Sequence, residues 1–224
     1  VCYAAASSGN TALVALTVRR QVFAWNTVRD SGRDIIGYSG LSESIVEHND
    51  LSRAGHLTHD LGMTYGHTTD FQNTVFRYNR VHDVLDRKNG KGIYFDHVAM
   101  NAIVHNNIIW NTSACPVKVN NPSYFILVFQ NTAWSTVGVS TFDHSRRNDL
   151  YGCRFYNNIV NEPFKLPAHV PLAGNAVEAD PGFLDPSGLR FELRPGVSAP
   201  ADLVALQGLT GAAVPYLGAL EPGK

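Results

Sequence analysis

The chain is poor in charge and in cysteine. Charged side chains make up 17 % of its 224 residues, and the two signs nearly cancel to a net charge of −1. That balance gives no electrostatic reason to expect nucleic acid or an anionic membrane as a partner. No stretch of eighteen apolar residues occurs, so the sequence offers no membrane span. Three cysteines, Cys2, Cys115 and Cys153, lie far apart and are odd in number, which excludes a disulfide framework and a thiolate metal cluster. They are expected to act as small buried hydrophobes. Also absent are a Gly-x-Ser-x-Gly elbow, a P-loop and a dinucleotide fingerprint, so three large enzyme classes have no foothold here.

What is present is a repeat. Val22-Phe23-Ala24-Trp25-Asn26, Ile45-Val46-Glu47-His48-Asn49, Val75-Phe76-Arg77-Tyr78-Asn79, Ile103-Val104-His105-Asn106-Asn107, Leu127-Val128-Phe129-Gln130-Asn131 and Arg154-Phe155-Tyr156-Asn157-Asn158 share one pattern. Each is a short β-type run closed by Asn, and an aliphatic or small residue follows two places later. The Asn-to-Asn spacings are 23, 30, 28, 24 and 27 residues. A period in that range signals a solenoid, whose long surface suits a polymer better than a small metabolite.

A second β-type run precedes most of these segments: Asp34–Tyr38, Gly62–Gly66, Gly92–Asp96, Pro116–Asn120 and Pro163–Leu166. Alternation predicts Met63/Tyr65, Ile93/Phe95, Val117/Val119 and Phe164/Leu166 pointing inward, with Thr64/Gly66, Tyr94/Asp96, Lys118/Asn120 and Lys165/Pro167 outward. Strands about 25 residues apart, with no helical period between them, do not fit βαβ units, and a sandwich would need hairpin turns every 8–12 residues. The remaining architecture is an all-β, right-handed parallel β-helix with the six Asn stacked in one column, each amide bonding its neighbour and backbone groups that the bend leaves unpaired. Residues 1–174 are expected to form the rungs and 175–224 a C-terminal rung and capping segment. The abrupt start at Ala12–Val18 leads to the expectation that a signal peptide and further rungs precede this chain.

Polar residues concentrate between His56 and Asp96, where His56, His59, Asp60, His67, Asp70, His82, Asp83 and Asp86 also lie. Packing alone does not require them. With adjacent rungs roughly 4.8 Å apart, Tyr94, Asp96, Lys118 and Asn120 should form one outward patch. Asp60 precedes the equivalent strand one rung earlier, so Asp60 and Asp96 are the candidate acid/base or nucleophile pair for cleaving a glycosidic bond. His59, His82 and Asp83 join Tyr94, Lys118 and Asn120 as candidate substrate contacts. A plainer reading stays open, in which Asp60 and Asp83 cap turns through Asx-type bonds. His56-Leu-Thr-His59 has a short metal spacing but no third ligand, so no metal site is assigned; calcium held by carboxylates and carbonyls stays open, although no nine-residue Gly/Asp repeat supports it. Asn111-Thr-Ser113 reads as a glycosylation sequon, but a turn explains that Asn as well. Tyr94, Trp110 and Trp134 could stack on sugar rings or be buried.

Ser52–His56, His59–Tyr65, Thr69-Asp70, Thr74–Asp83, Gly92–Asp96 and Val104–Asn107, with the C-terminal Asp180-Pro-Gly-Phe183, Leu193–Gly196 and Leu217–Ala219, resemble secreted bacterial right-handed β-helix enzymes that degrade polysaccharides. These are glycoside hydrolases and, more distantly, polysaccharide lyases. The resemblance covers residues 20–224 and implies acidic residues on successive rungs, which map onto Asp60 and Asp96. Phe95-Asp96-His97 stands where Leu-Asp-Asn or Leu-Asp-Asp is expected, so the role of the neighbouring residue is open. For a lyase, Lys118 and Arg77 are the candidate cations. The expectation is a secreted or periplasmic glycoside hydrolase acting on a polysaccharide or oligosaccharide. The alternatives are a lyase or uronate epimerase, and a non-catalytic glycan-binding β-helix.

Overall fold

The computed structural model describes residues 14–120, 122–134, 149–211 and 216–220. Cys2, the start of the run at Ala12, Asn121 and most of residues 212–224 lie outside the described residues. The chain winds through β1 (Val14–Leu16), β2 (Val22–Ala24) and β3 (Thr27–Ser31), then β4 (Ile36–Tyr38), β5 (Ile45–Glu47) and β6 (Asp50–Ala54). The next turns are β7 (Leu61–His67), β8 (Asp70–Arg77) and β9 (Arg80–His82), and then β10 (Gly90–Asp96), β11 (Ala99–His105) and β12 (Ile108–Trp110). They are followed by β13 (Val117–Val119), β14 (Ser123–Tyr124), β15 (Leu127–Phe129) and β16 (Thr132–Trp134). Two short turns follow, β17 (Arg154–Tyr156) with β18 (Ile159–Val160) and β19 (Leu172–Ala173) with β20 (Ala176–Val177). The hairpin β21 (Phe183–Asp185) and β22 (Arg190–Leu193) and the short helix α1 (Gln207–Thr210) come last. No helix among the described residues is long and apolar enough to cross a membrane.

Corresponding strands stack in parallel into three sheets. The first runs β1-β4-β7-β10-β13, the second β2-β5-β8-β11-β15-β17-β19 with β14 beside β11, and the third β3-β6-β9-β12-β16-β18-β20. This is a right-handed parallel β-helix. Its core is a set of inward columns. Val46, Phe76, Val104, Val128 and Phe155 align on the second sheet, and Leu51, Val81, Ile109, Ala133 and Val160 on the third, all buried. The first sheet adds Ile36, Ile93 and Val117 in one column and Tyr38, Phe95 and Val119 in another. Burial of such side chains at about 25 cal/mol per Å² is the main favourable term for the coil.

Between the second and third sheets each rung turns on two residues. The first takes a left-handed conformation, as Trp25, His48, Tyr78, Asn106, Gln130, Asn157 and Gly174 all do. The second is the repeated Asn. Asn79 Oδ1 accepts the Asn49 N–H at 3.1 Å and its Nδ2 at 2.9 Å, while Asn79 Nδ2 donates to Asn107 Oδ1 at 2.9 Å and to the Val46 carbonyl at 2.9 Å. The same pattern links Asn26, Asn49, Asn79, Asn107, Asn131 and Asn158. It continues to Asn175, one place further than the repeat read from sequence.

Two strand expectations need correction. In β7, Thr64 pairs with Ile36 and Ile93, and Gly66 pairs with Tyr38 and Phe95, so both lie on the core side. Tyr65 pairs with Gly37 and Tyr94 and faces outward. Met63 is buried as expected, but the alternation breaks beside it, which moves Tyr65 to the other face. Residues 163–166 form no strand of the first sheet among the described residues, although Phe164 and Leu166 do pack on the core.

The C-terminal hairpin lies against the outside of the third sheet. Trp110, Ile159, Phe183, Phe191 and Leu217 form a second apolar cluster, joined by Ile108 and Trp134. Trp110 and Trp134 are therefore covered by the hairpin and are not sugar platforms. Cys115 and Cys153 are buried, as expected.

Two stability results are expected. Asn79→Ala should cost on the order of 1–3 kcal/mol in denaturant unfolding, because buried backbone groups lose partners; Asn26→Ala, at the part-buried end of the column, should cost less. His105 is buried with its pKa pushed down to about 4 by burial. Its unfolded value lies near 6.5, so the unfolded chain binds the extra proton between about pH 6.5 and 4, and stability falls as pH falls through that window. The full effect is on the order of 3 kcal/mol. His105→Phe should flatten the stability curve there, measured by chemical denaturation from pH 7 to 4; an unchanged slope would show that His105 is not the titrating group.

Candidate functional site

The outward face of the first sheet carries a connected polar network. Asp96 closes β10 opposite His67 of β7. Its carboxylate accepts the Tyr65 hydroxyl at 2.9 Å, Asn120 Nδ2 at 2.6 Å and the His97 N–H at 2.9 Å. Asn120 Nδ2 also donates to the Tyr94 hydroxyl at 3.3 Å, and the Tyr65 and Tyr94 rings meet edge to face at 5.2 Å. Burial would raise the Asp96 pKa, but the bonds from Asn120, Tyr65 and the His97 N–H outweigh it, and the group is held below the usual carboxylate value. Burial and then the Asp96 charge push the Tyr65 and Tyr94 phenols far up, so both stay protonated donors. Asn120 Oδ1 is buried with no partner among the described residues. A buried acceptor left open beside an ionised carboxylate can take a hydroxyl from a ligand.

A second charged group borders this face. Lys91 Nζ reaches Asp60 at 2.5 Å and lies 4.6 Å from the Tyr94 ring centroid. Arg33 pairs with Asp34 at 3.0 Å, donates to the Asp60 carbonyl at 3.1 Å and lies 4.9 Å from the Tyr65 ring centroid. Asp34 accepts the Gly62 N–H, and burial raises its pKa to about 6.

Of the residues expected from sequence, Tyr94, Asp96 and Asn120 come together, and Lys118 pairs with Tyr94 across the strands. Asp60 connects to them indirectly, through Lys91 to Tyr94 and through Arg33 to Tyr65. Leu61 pairs with Gly90 and His67 with Asp96, so Asp60 stands seven residues along the strand from the level of Asp96, about 23 Å. Two aspartate side chains cannot close that gap to the roughly 5–9.5 Å used for glycoside cleavage. The remaining candidates lie elsewhere. His59 Nδ1 pairs with Asp86 Oδ1 at 2.6 Å, and Asp86 caps its own turn by accepting the Lys88 and Asn89 N–H groups. His82 sits on the third sheet between Asp83 at 2.8 Å and Asp50 at 3.1 Å, stacked on Trp110 at 4.1 Å. His56 turns to Asp30, so His56 and His59 do not share a ligand. No group of three or more His, Cys, Asp or Glu able to hold a metal ion occurs among the described residues. Arg77 pairs with Glu47 on the second sheet, away from this face.

The sequence reading missed Tyr65, Lys91, Arg33 and His97. Strict alternation hid Tyr65. The departure at His97 from the pattern expected after Asp96 was the one signal that marked that neighbour.

Tyr65→Phe should raise the Asp96 pKa, because it removes a donor that favours the carboxylate. The carboxyl-carbon NMR titration of Asp96 should move upward in the variant; a midpoint that stays in place would mean the bond does not hold the group ionised.

No family model matches the chain, and no curated protein does. Among solved structures, XylC in complex with xylose superposes with a TM-score of 0.51 at 19 % identity, over 65 % of this chain and 21 % of that one. This chain therefore spans about a fifth of that protein's length, and the likeness is one of fold.

Proposed function

We propose that the chain is a carbohydrate-active parallel β-helix, with a saccharide polymer lying along the outer face of the first sheet and a glycosidic bond cleaved at Asp96. The observation that carries this reading is an ionised carboxylate fixed by three donors next to an unpartnered buried amide oxygen. Pre-placed groups of this kind suit a substrate rich in hydroxyls and lower the barrier through positioning. Support for the substrate class comes from the resemblance to secreted polysaccharide-degrading enzymes and from a β-helix of similar fold that holds xylose. A polymer substrate also fits a secreted protein.

In this scheme Asp96 either takes a proton from the water that attacks the anomeric carbon or attacks that carbon itself as nucleophile, while Tyr65, Tyr94 and Asn120 hold it ionised and oriented. Cleavage breaks the bond to the leaving oxygen, which takes a proton, and water supplies the hydroxyl. His97, with Nε2 at 4.0 Å from Asp96 Oδ1, is the proton carrier on the same patch. Lys118 and Asn120 contact the sugar beside the bond. Asp60 takes a different part from the one expected: with Lys91 and Arg33 it binds the chain further along the face.

A lyase is the second reading, favoured by Arg33 and Lys91 bordering the face, with Lys118 beside Tyr94, since cations neutralise a uronate during proton abstraction. The raised Tyr65 and Tyr94 phenols count against it, because a phenol held protonated is a poor base.

A panel of polysaccharides read by reducing sugar and ultraviolet absorbance separates the two, as only a lyase leaves an unsaturated uronate. Asp96→Asn should lower turnover at least about a hundredfold with folding intact. Wild-type turnover in Asp96→Asn would sink the assignment.

A further inference from the structure

The left-handed turn residues form a second column beside the asparagines, and its two halves differ in chemistry. From Gly174 to Asn106 the column is covered by the C-terminal segment running back along the coil. The Gly174 N–H donates to Asp202 at 3.0 Å, Asn157 Nδ2 to the Val204 carbonyl at 2.8 Å, Gln130 Nε2 to the Tyr216 carbonyl at 3.1 Å, and Asn106 Nδ2 to the Tyr216 hydroxyl at 2.6 Å and the Ala219 carbonyl at 2.7 Å. Every covered turn residue is thus polar or glycine. Beyond Ala219 the column becomes Tyr78, His48 and Trp25, three rings in a stack. The Tyr78 and His48 centroids are 5.0 Å apart and those of His48 and Trp25 4.1 Å, with planes within 13°. Trp25 is 76 % exposed.

A cavity of about 390 Å³ lies beside Ala219 and Leu220. His48, Tyr78, Phe191 and Leu220 give it an aromatic and apolar wall, and Arg80 and Glu192 give it one cation and one carboxylate. Arg80 is held in place, with its guanidinium 5.6 Å from the Trp110 ring centroid and Nη2 donating to the Leu189 carbonyl at 3.3 Å. The volume is within the range of small-ligand sites. The two charged residues of the lining have opposed signs, which gives no excess charge for an anion, and Glu192, 3.8 Å from Arg190 Nε, keeps acceptor capacity for hydroxyls beside the Arg80 donors. Both faces of His48 are taken by Trp25 and Tyr78, so the wall offers ring edges, together with Ile108 and Leu220, to the C–H groups of an uncharged ring.

We propose that this junction is a second saccharide site, which takes a neutral pyranose on the aromatic wall with its hydroxyls bonded to Arg80 and Glu192. It lies at the turn between the second and third sheets, away from the Asp96 face. That one polymer engages both places rests on the reading given above; the pyranose class follows from this pocket's own chemistry.

The test is calorimetric titration of full-length Asp96→Asn, whose turnover is at least about a hundredfold slower, with xylohexaose, cellohexaose and mannohexaose, and with hexagalacturonate as the charged control. At least one neutral hexamer should bind at two sites. Tyr78→Ala or Arg80→Ala should weaken one of them at least tenfold, while Asn120→Ala weakens the other. If Tyr78→Ala fails to melt cooperatively, Glu192→Gln and Arg80→Ala decide, the second only where it melts like the parent protein, because it also loses its contacts with Trp110 and the Leu189 carbonyl. Unchanged titrations in Arg80→Ala and Glu192→Gln would overturn the second site and leave the Asp96 reading standing. Loss in those variants with no effect of Asn120→Ala would do the reverse. Absence of binding by all three neutral hexamers, or tighter binding of hexagalacturonate at the Arg80-dependent site, would overturn the proposal. So would a site that appears only after deletion of residues 221–224, because the pocket would then belong to the chain's own C-terminus.

Discussion

The rest of the molecule depends on the asparagine column. A parallel coil bends sharply at every corner, and each bend leaves backbone N–H and C=O groups without strand partners. One Asn side chain per rung answers this need: its oxygen accepts two N–H donors from the rung before, and its amide donates to the rung after and to a carbonyl behind. Losing one such side chain would cost on the order of 1–3 kcal/mol. Because the bonds run rung to rung, they also lock the register between rungs. The inward and outward columns of all three sheets follow from that lock.

The same backbone then carries three different outer faces. On the first sheet the outward column gathers Tyr65, Tyr94 and Lys118 beside Asp96 and Asn120, and it is a candidate for chemistry. On the second sheet charged and aromatic pairs such as Glu47 with Arg77 and His105 with Phe129 stack from rung to rung. On the third sheet the outward residues include Ile108, Trp110, Trp134 and Ile159, which would be costly in water. The C-terminal hairpin covers them with Phe183 and Phe191. His82 belongs to this covered face. It is stacked on Trp110 and bonded to two carboxylates, which accounts for a His-Asp pair that looked like part of a site.

How far residues could be read in advance depended on whether their role was local. The asparagines were legible because a turn needs the same side chain wherever it recurs. Asp96, Tyr94 and Asn120 were legible because β10 alternates from Ile93 to Asp96 and β13 pairs with it in register. Tyr65 was not, since β7 buries both Met63 and Thr64 and an irregularity of one residue reverses every later side chain on the strand. Asp60 and Asp96 looked like neighbours when rungs alone were counted. The position along the strand, which no spacing of repeats reveals, sets them far apart. Lys91 drew no notice as a functional residue, although its ammonium is what ties Asp60 to Tyr94.

By itself the sequence determined that the chain is an all-β coil, where each rung turns, and which aliphatic residues form its core. Those features arise from interactions repeated at a fixed period, so they leave a pattern in one dimension. The tertiary structure alone decided which polar residues meet. It set Asp96 among Tyr65, Asn120 and the His97 N–H, moved His59 and His82 to separate carboxylates, and laid the described C-terminal residues along the polar half of the turn column. Each of these contacts joins residues that stand in no periodic relation. They depend on the sum of loop lengths, strand irregularities and covered faces, and that sum exists only once the coil is wound.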